Sequence, residues 1–308
     1  MTDPWALPAF AQFTHHYLAP GARVALIAPA GPFERAEFER GVLRLQQHYD
    51  VRYSPAIFER QGFLAGDDER RRSELQHALE DASVAAIIAA RGGYGVTRIL
   101  PGLDPAAVSR HGPLLVGFSD ISALHALWAR AAVGSVHGSM AAWLGQTSDA
   151  LFERWRNAVE GRFPASFEQL ETISPGVADG VLLGGNLAVL TALLGTAYFP
   201  PLQGAVLFLE DIGERPYRVD RMLTTWRQAN VFAAVRGIVL GAFEQAQVGP
   251  DGVSVHDVLR ERLSDLGIPV VAGLPAGHVD DNAELPFGRG VTLDATKGKL
   301  FVHERRNT

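Results

Sequence analysis

The stretch Leu114-Leu115-Val116-Gly117-Phe118-Ser119-Asp120-Ile121 joins an apolar run to a polar turn, and it decides the fold. Its first five residues have the length and composition of a buried strand, and a helix is predicted directly after it at 121–132. Similar apolar runs stand upstream at 24–28 and 85–90. Continuous apolar strands that alternate with helices predict an α/β fold with a parallel sheet covered on both faces. The other elements predicted in this half are a strand at 51–53 and helices at 33–49 and 67–79.

The sequence pattern changes after about residue 150. The segment 151–179 contains Pro164 and Pro175 and shows no clean periodicity, so we interpret it as a linker. It separates a predicted N-terminal domain, residues 1–150, from a predicted C-terminal domain, residues 180–308. The second half is predicted to hold strands at 180–183, 205–209, 237–240, 269–272 and 290–293, helices at 186–194, 217–228 and 255–266, and a closing hairpin whose second strand is 300–303.

The composition of the 308-residue chain excludes several classes of function. With 34 Asp and Glu against 28 Lys and Arg, the net charge is −6, so the chain lacks the basic surface of a nucleic-acid-binding protein. It contains no Cys, which excludes disulfides, thiol catalysis and Cys-ligated metal sites. No apolar run approaches 18 residues, and residues 1–13 lack the basic and apolar regions of a signal peptide. We therefore expect a cytoplasmic protein that does not span a membrane.

Two predicted strands end in residues that could bind a ligand, since parallel sheets bind ligands at the carboxyl ends of their strands. The first end is Arg91-Gly92-Gly93-Tyr94-Gly95. Its three glycines allow the backbone to approach a ligand closely and to present N–H groups. The spacing matches neither a dinucleotide-binding loop nor a Walker A loop. A simple tight turn is the alternative interpretation.

The second strand end places Ser119 on a sharp turn from strand to helix. A serine at such a turn exposes its hydroxyl, and the neighbouring N–H groups at the helix start can stabilise an oxyanion. The alternative is that Ser119 or Asp120 only caps the helix. An ordinary α/β-hydrolase esterase has Gly two residues after the serine, and Ile121 at that position argues against this fold.

A serine nucleophile also needs a base and an acid that orients the base. Among the histidines, His137 and His278 stand in glycine-containing turns after apolar runs. Glu210 ends the apolar run 205–209, and Glu214 is a nearby competitor for the role of the acid. The residues alone leave both choices open. No His-Glu-x-x-His motif is present, so a zinc peptidase of that type is not expected.

Six blocks of sequence, taken in order, are more specific than any of these residues alone. They are Phe63 to Arg71, Ala90 to Gly95, Val116 to Asp120, Leu183 to Leu187, Leu209 to Arg218, and Gly277-His278 with Leu285 to Gly288. Together they resemble the serine L,D-carboxypeptidase family from about Val24 to the C-terminus. The resemblance implies an N-terminal Rossmann-like sandwich and a smaller C-terminal α/β domain with a mixed or barrel-like sheet.

The resemblance also implies a catalytic machinery, residue by residue. Ser119 corresponds to the nucleophile, Glu210 to the acid and His278 to the base. The oxyanion would be bound by the N–H of Asp120 and by one from the glycine loop, either Gly92 or Gly93, of which we favour Gly93. Neither a metal nor an organic cofactor is implied. A carboxypeptidase must bind a terminal carboxylate, and the cations suited to it are Arg91, Arg215 and Arg218.

The activity that the resemblance implies is removal of the terminal D-Ala from cytoplasmic murein tetrapeptide during peptidoglycan recycling, by a homodimer. A sister branch cleaves the antibiotic microcin C and gives self-immunity, and it tends to carry Asn after Gly-Gly-Tyr. Gly95 in that position is closer to the recycling branch. The competing hypothesis from another class is a two-domain protein that binds a small molecule without catalysis. A reagent directed at active serines would not label Ser119 in such a protein.

Overall fold

The computed structural model of the chain describes residues 13–249 and 252–304. Residues 1–12, where no signal peptide is predicted, lie outside the described residues. The strands are β1 (Arg23–Ile27), β2 (Asp50–Arg52), β3 (Ala86–Ala89), β4 (Leu114–Gly117), β5 (Ser135–His137), β6 (Ser166–Phe167), β7 (Glu171–Ser174), β8 (Val177–Asn186), β9 (Ala205–Ile212), β10 (Gly237–Glu244), β11 (Val270–Ala272), β12 (Leu285–Phe287), β13 (Gly290–Asp294) and β14 (Lys299–Val302). The α-helices are α1 (Arg35–Gln46), α2 (Asp68–Glu80), α3 (Val96–Ile99), α4 (Pro105–His111), α5 (Ser122–Arg130), α6 (Ala141–Leu144), α7 (Asp149–Val159), α8 (Leu187–Leu193), α9 (Pro216–Gln228) and α10 (Val255–Leu263).

The first sheet has the strand order β12-β5-β4-β3-β1-β2. Its five strands from the N-terminal half are all parallel, which confirms the predicted parallel sheet. Every residue of β3 and β4 is buried, as continuous apolar strands under helices on both faces should be. The sixth strand, β12, comes from the C-terminal half and pairs antiparallel with β5. The two halves of the chain therefore share this sheet.

The second sheet is mixed and has the order β6-β14-β13-β8-β9-β10-β11-β7. The predicted closing hairpin is present as the antiparallel pair of β13 and β14. The edge strands β6 and β7 are separated only by residues 168–170. The four Cα–Cα steps from the last residue of β6 to the first residue of β7 cover at most about 15 Å. The two edges of a flat eight-stranded sheet would be about 34 Å apart. The sheet must therefore curl toward the predicted barrel-like shape.

The segment 151–179, interpreted as a linker from its sequence, contains regular structure. Most of helix α7 lies within it, and it supplies the two edge strands of the second sheet. An edge strand bonds to a neighbour on one side only and faces solvent on the other, so it needs no continuous apolar run. The polar, irregular composition of the segment therefore concealed two strands. The domain limits at 150 and 180 stay a prediction.

Helix α5, which follows Ser119, connects the two sheets. Its buried residues belong to a core that includes strands and helices of the C-terminal half. The backbone N–H of Asn186 donates to Ser122 Oγ at 2.8 Å, and Asn186 is the direct neighbour of Glu210 in the second sheet. The carboxyl ends of β4 and β9 are thereby held close together. Within the described part of the chain, no helix has the length and apolar character needed to cross a bilayer.

Candidate active site

Ser119 occupies a strained turn at the carboxyl end of β4. Its φ is 65°, in the left-handed region that non-glycine residues rarely adopt, and a short 3₁₀ turn leads from it into α5. Gly117 permits the turn, because a Cβ there would lie 2.9 Å from the side chain of Ile121. Strain of this kind persists where the surrounding structure enforces it, often at functional sites. The sharp turn expected from the sequence is present, and Ser119 is half-buried at its tip.

The glycine loop after β3 packs directly against Ser119. A Cβ on Gly92 would lie 2.8 Å from Ser119 Cβ and 2.9 Å from its Oγ, so only glycine fits there. The Gly92 carbonyl accepts a hydrogen bond from Gly31 N–H, in the loop after β1, at 3.0 Å. A trans peptide points its C=O and N–H in opposite directions, so the Gly93 N–H is turned away from β1 and toward the side of β4. This is the side on which Ser119 lies.

The side chains of Asp120 and Arg71 hold the glycine loop in place through hydrogen bonds to its backbone and to the start of α3. Asp120 is buried, and its Oδ2 accepts a hydrogen bond from the N–H of Val96 at 2.8 Å. Burial raises the pKa of Asp120 to about 6, against the opposing effects of that N–H and of Arg71. The fully buried guanidinium of Arg71 donates to the carbonyls of Pro29 (2.6 Å) and Gly95 (2.8 Å). The sequence suggested the Asp120 side chain only as a cap of the following helix and indicated no role for that of Arg71, since such distant contacts leave no local pattern.

Glu210 and His278 form a buried hydrogen-bonded pair. His278 Nδ1 and Glu210 Oε2 are 2.7 Å apart, the carboxylate is fully buried, and the imidazole is 15% exposed. Gly277 has a φ of 120°, and a Cβ there would lie 2.8 Å from Glu210 Oε2, so glycine allows this approach. With Nδ1 engaged, Nε2 is the ring nitrogen available for proton transfer. The imidazole packs edge-on against Phe118, the residue before Ser119, at 4.9 Å between ring centroids.

The competing residues, Glu214 and His137, lie in surroundings that do not suit the roles of acid and base. Glu214 forms an ion pair with Arg218 in the first turn of α9, at 2.7 Å. His137 is fully buried among the rings of Phe118, Phe208 and Phe287, and neither of its nitrogens has a hydrogen-bond partner. Burial, together with the neighbouring imidazoles of His125 and His278, holds the pKa of His137 well below its ordinary value. His137 is therefore a neutral residue that packs behind the site.

The three candidate arginines follow two different strands, β3 and β9. Arg91 is exposed at the start of the glycine loop and donates to the Pro32 carbonyl at 2.6 Å. Arg215 is the exposed N-cap residue of α9, after the loop that follows β9, and Arg218 is exposed in the first turn of the same helix. Across residues 13–249 and 252–304, no three His, Asp or Glu side chains are grouped to hold a metal ion.

Two exposed aromatic rings stand beside the glycine loop. Phe63 is 67% exposed and Tyr94 48% exposed, and their ring centroids are 5.7 Å apart. Tyr94 is two residues from Gly92, and the carbonyl of Phe63 lies close to Gly31. Large apolar side chains that are exposed next to a site often contact a ligand. The signal for this pair in the sequence is that both residues belong to the blocks that resemble the family.

Both halves of the chain are similar in sequence to known proteins. Residues 24–138 match the family model of the LD-carboxypeptidase N-terminal domain, and residues 179–293 match that of the C-terminal domain. A putative carboxypeptidase of Synechocystis sp. is 39% identical over 92% of this chain and 95% of that protein. The crystal structure of muramoyltetrapeptide carboxypeptidase from Oxalobacter formigenes is similar with a TM-score of 0.81 and 29% identity, covering 93% of this chain and 100% of that one. The microcin C7 self-immunity protein MccF has the same fold, with a TM-score of 0.85 and 21% identity over 94% of this chain and 98% of that one.

Proposed function

The chain belongs to the LD-carboxypeptidase family, and from that premise we propose that it is a serine L,D-carboxypeptidase that removes the terminal D-Ala from murein tetrapeptide. The observation that carries the proposal is the Glu210–His278 pair, 2.7 Å apart and packed against the strand end that bears Ser119. The Oxalobacter formigenes relative, 29% identical, is named for this substrate class.

In the proposed first step, Ser119 Oγ attacks the carbonyl that joins an L-configured centre to the terminal D-Ala. His278 Nε2 accepts the hydroxyl proton as the C–O bond forms. Glu210 keeps Nδ1 protonated and stabilises the imidazolium by charge. The buried position of Glu210 strengthens this interaction, because little water screens it.

The negative charge that develops on the substrate oxygen requires N–H donors. We assign them to Asp120, at the start of the turn that leads into α5, and to Gly93, whose N–H is turned toward the β4 side of the loop. The N–H of Gly92 is the alternative donor. The hydrogen bond from Gly31 to the Gly92 carbonyl favours Gly93, since it fixes the orientation of the peptide that joins the two glycines.

Collapse of the tetrahedral intermediate breaks the C–N bond, and His278 donates its proton to the departing D-Ala amine. A water molecule then attacks the acyl-enzyme with His278 again as the base, which releases the shortened peptide and restores the Ser119 hydroxyl. The chain's own residues suffice for each proton transfer.

The free carboxylate of D-Ala needs a cation, and we assign this role to one of Arg91, Arg215 and Arg218. Replacing each arginine by Met distinguishes the three candidates. Only the variant that lacks the carboxylate-binding arginine should lose the preference for a substrate ending in D-Ala over one ending in its amide.

Because the leaving group is a single residue, the rest of the substrate lies on the other side of the scissile bond. We propose that it extends over Phe63 and Tyr94.

The activity is tested by incubating the protein with murein tetrapeptide and, separately, with processed microcin C, and by reading the products by mass. Release of D-Ala supports the proposal, and cleavage of the microcin compound alone would favour the immunity branch. The likeness to MccF, at 21% identity, supports a shared fold and does not decide between these substrates. A non-catalytic binding protein would leave both compounds intact and would not be labelled at Ser119.

Two further proposals follow from the family resemblance: that the enzyme acts in the cytoplasm and that it is a homodimer. Cell fractionation tests the first, and light scattering of the purified protein tests the second.

A further inference from the structure

One side chain outside the proposed catalytic residues contacts the loop that follows His278 at three points. Arg154, on helix α7, donates from Nε to Glu284 Oε2 at 2.9 Å and from Nη2 to the Asn282 carbonyl at 2.7 Å. Its third nitrogen, Nη1, pairs with the carboxylate of Asp281. All three guanidinium nitrogens are thus used on one short segment, a geometry that fixes both distance and orientation.

The segment held by Arg154 is itself bonded back to the base. Asn282 Oδ1 accepts the N–H of Gly277 at 2.8 Å, directly before His278. The N–H of Ala283 donates to the Pro275 carbonyl at 2.7 Å. Residues 275–283 therefore form a closed loop, and a shift of 281–284 would move the backbone of His278 with it.

Arg154 belongs to the part of the molecule that carries the nucleophile. Its neighbours Phe152 and Trp155 are buried in the core beneath the first sheet, and Trp155 Nε1 donates to the Ser139 carbonyl at 3.0 Å. Ser139 lies just beyond β5, which is adjacent to the strand that leads to Ser119. Arg154 thus links the layer that positions Ser119 to the loop that carries His278.

The contact with Glu284 occurs in a largely desolvated environment. The Glu284 side chain is 4% exposed, and burial raises the pKa of its carboxyl despite the opposing charge of Arg154. A buried carboxylate whose partner is removed either takes up a proton or moves toward water. Either change would disturb the start of β12, which begins at the next residue and pairs with β5.

We propose that Arg154 is a positioning residue that holds the His278 loop so that Nε2 faces Ser119, and that it acts on the rate without touching substrate. The proposal rests on the proposed function of Ser119 and His278. A displacement of about 1 Å in a catalytic group can lower the rate about 100-fold, so Arg154→Ala should lower kcat by about that factor and leave KM within about twofold.

The test compares Arg154→Ala with Arg156→Ala, a control two residues along the same helix whose guanidinium pairs with Glu153 on that helix and with Glu160 directly after it. Three quantities are measured with and without added guanidinium ion: kcat and KM on murein tetrapeptide, and the rate of Ser119 labelling by a fluorophosphonate. We expect slow turnover and slow labelling for Arg154→Ala, partial recovery of both with guanidinium, and wild-type rates for Arg156→Ala.

A raised KM with unchanged kcat would overturn the proposal, because it would mean that Arg154 binds substrate. Unchanged labelling, or a loss that guanidinium does not restore, would also overturn it. If Arg154→Ala does not fold, the double variant Arg154→Met with Glu284→Gln removes the buried pair without an unpaired charge, and it must still label slowly. Labelling does not use the peptide, so wild-type protein that labels but spares the tetrapeptide refutes the proposed substrate and leaves the role of Arg154 testable.

Discussion

Replacement of Glu210 by Gln tests the assignment of the acid in the proposed triad. The amide has nearly the same shape as the carboxylate but carries no charge. It can also present an N–H toward His278 Nδ1, which would favour the wrong imidazole tautomer. The perturbation is thus confined to the interaction across the 2.7 Å contact between Glu210 and His278.

The size of the effect follows from the geometry. The charge centres of an imidazolium and a carboxylate in this contact are about 4 Å apart, and at an effective dielectric constant of about 20 they attract by about 4 kcal/mol. This attraction exists only once His278 has taken the serine proton, so its loss raises the barrier and not the substrate affinity. A loss of 4 kcal/mol slows the reaction about 10³-fold, and the tautomer effect brings the expectation to between about 10³- and 10⁴-fold.

The assay is D-Ala release from the tetrapeptide, with kcat and KM determined separately. Glu214→Gln is the matched control, since Glu214 pairs with an exposed arginine and such ion pairs contribute at most about 1 kcal/mol. We expect that variant to stay within about fivefold of the wild type. If Glu210→Gln lost less than tenfold, or if Glu214→Gln were the more damaging change, the acid would be wrongly assigned.

The remaining predictions address other parts of the site. Gly92→Ala should lower kcat at least about 100-fold, because its Cβ would displace Ser119 Oγ; near-normal turnover would disprove this packing. His137→Phe should keep kcat within about threefold. We expect the free energy of unfolding in urea to differ between this variant and the wild type in a pH-dependent way. As the pH falls below 6.5, the difference should change by about 1.4 kcal/mol per pH unit in favour of the variant, since a protein with a buried His of lowered pKa loses stability as the pH falls. A difference that stays constant with pH would refute a neutral His137. Exhaustive chelation with EDTA should leave activity unchanged, and recovery with zinc after a loss would refute the serine mechanism.

The parallel sheet could be predicted because its strands are short apolar runs that end at polar turns. The strand 114–118 and the turn at Ser119 agree with the structure for this reason, and so does the strand that ends near Glu210. Phe208 and Glu210 point to the same face of β9 by the alternation of a strand, and the Glu210 carboxylate lies 2.7 Å from His278 Nδ1. The roles of these residues stay predictions.

Several features that the sequence did not predict depend on contacts between distant residues. Strand β12 joins the sheet of the other half of the chain, and three residues of sequence contain no sign of that pairing. The edge strands β6 and β7 are too polar and short to show a strand period. Arg71 and Arg154 act through carbonyls and carboxylates far away in the chain, so a charged residue on a helix surface is all that their local sequence indicates.

The most direct test of the central claim uses four peptides that differ only in the configuration of their last two residues. The terminal carboxylate and the attacked carbonyl must be placed together, so kcat/KM should be highest for the L-centre–D-Ala member. Loss of one charge-assisted contact in the other members should cost about 1.5–3 kcal/mol, or about 10- to 150-fold. The account predicts that wild-type protein releases D-Ala from that member and that Ser119→Ala does not. Equal turnover of the L,L and L,D members would contradict it.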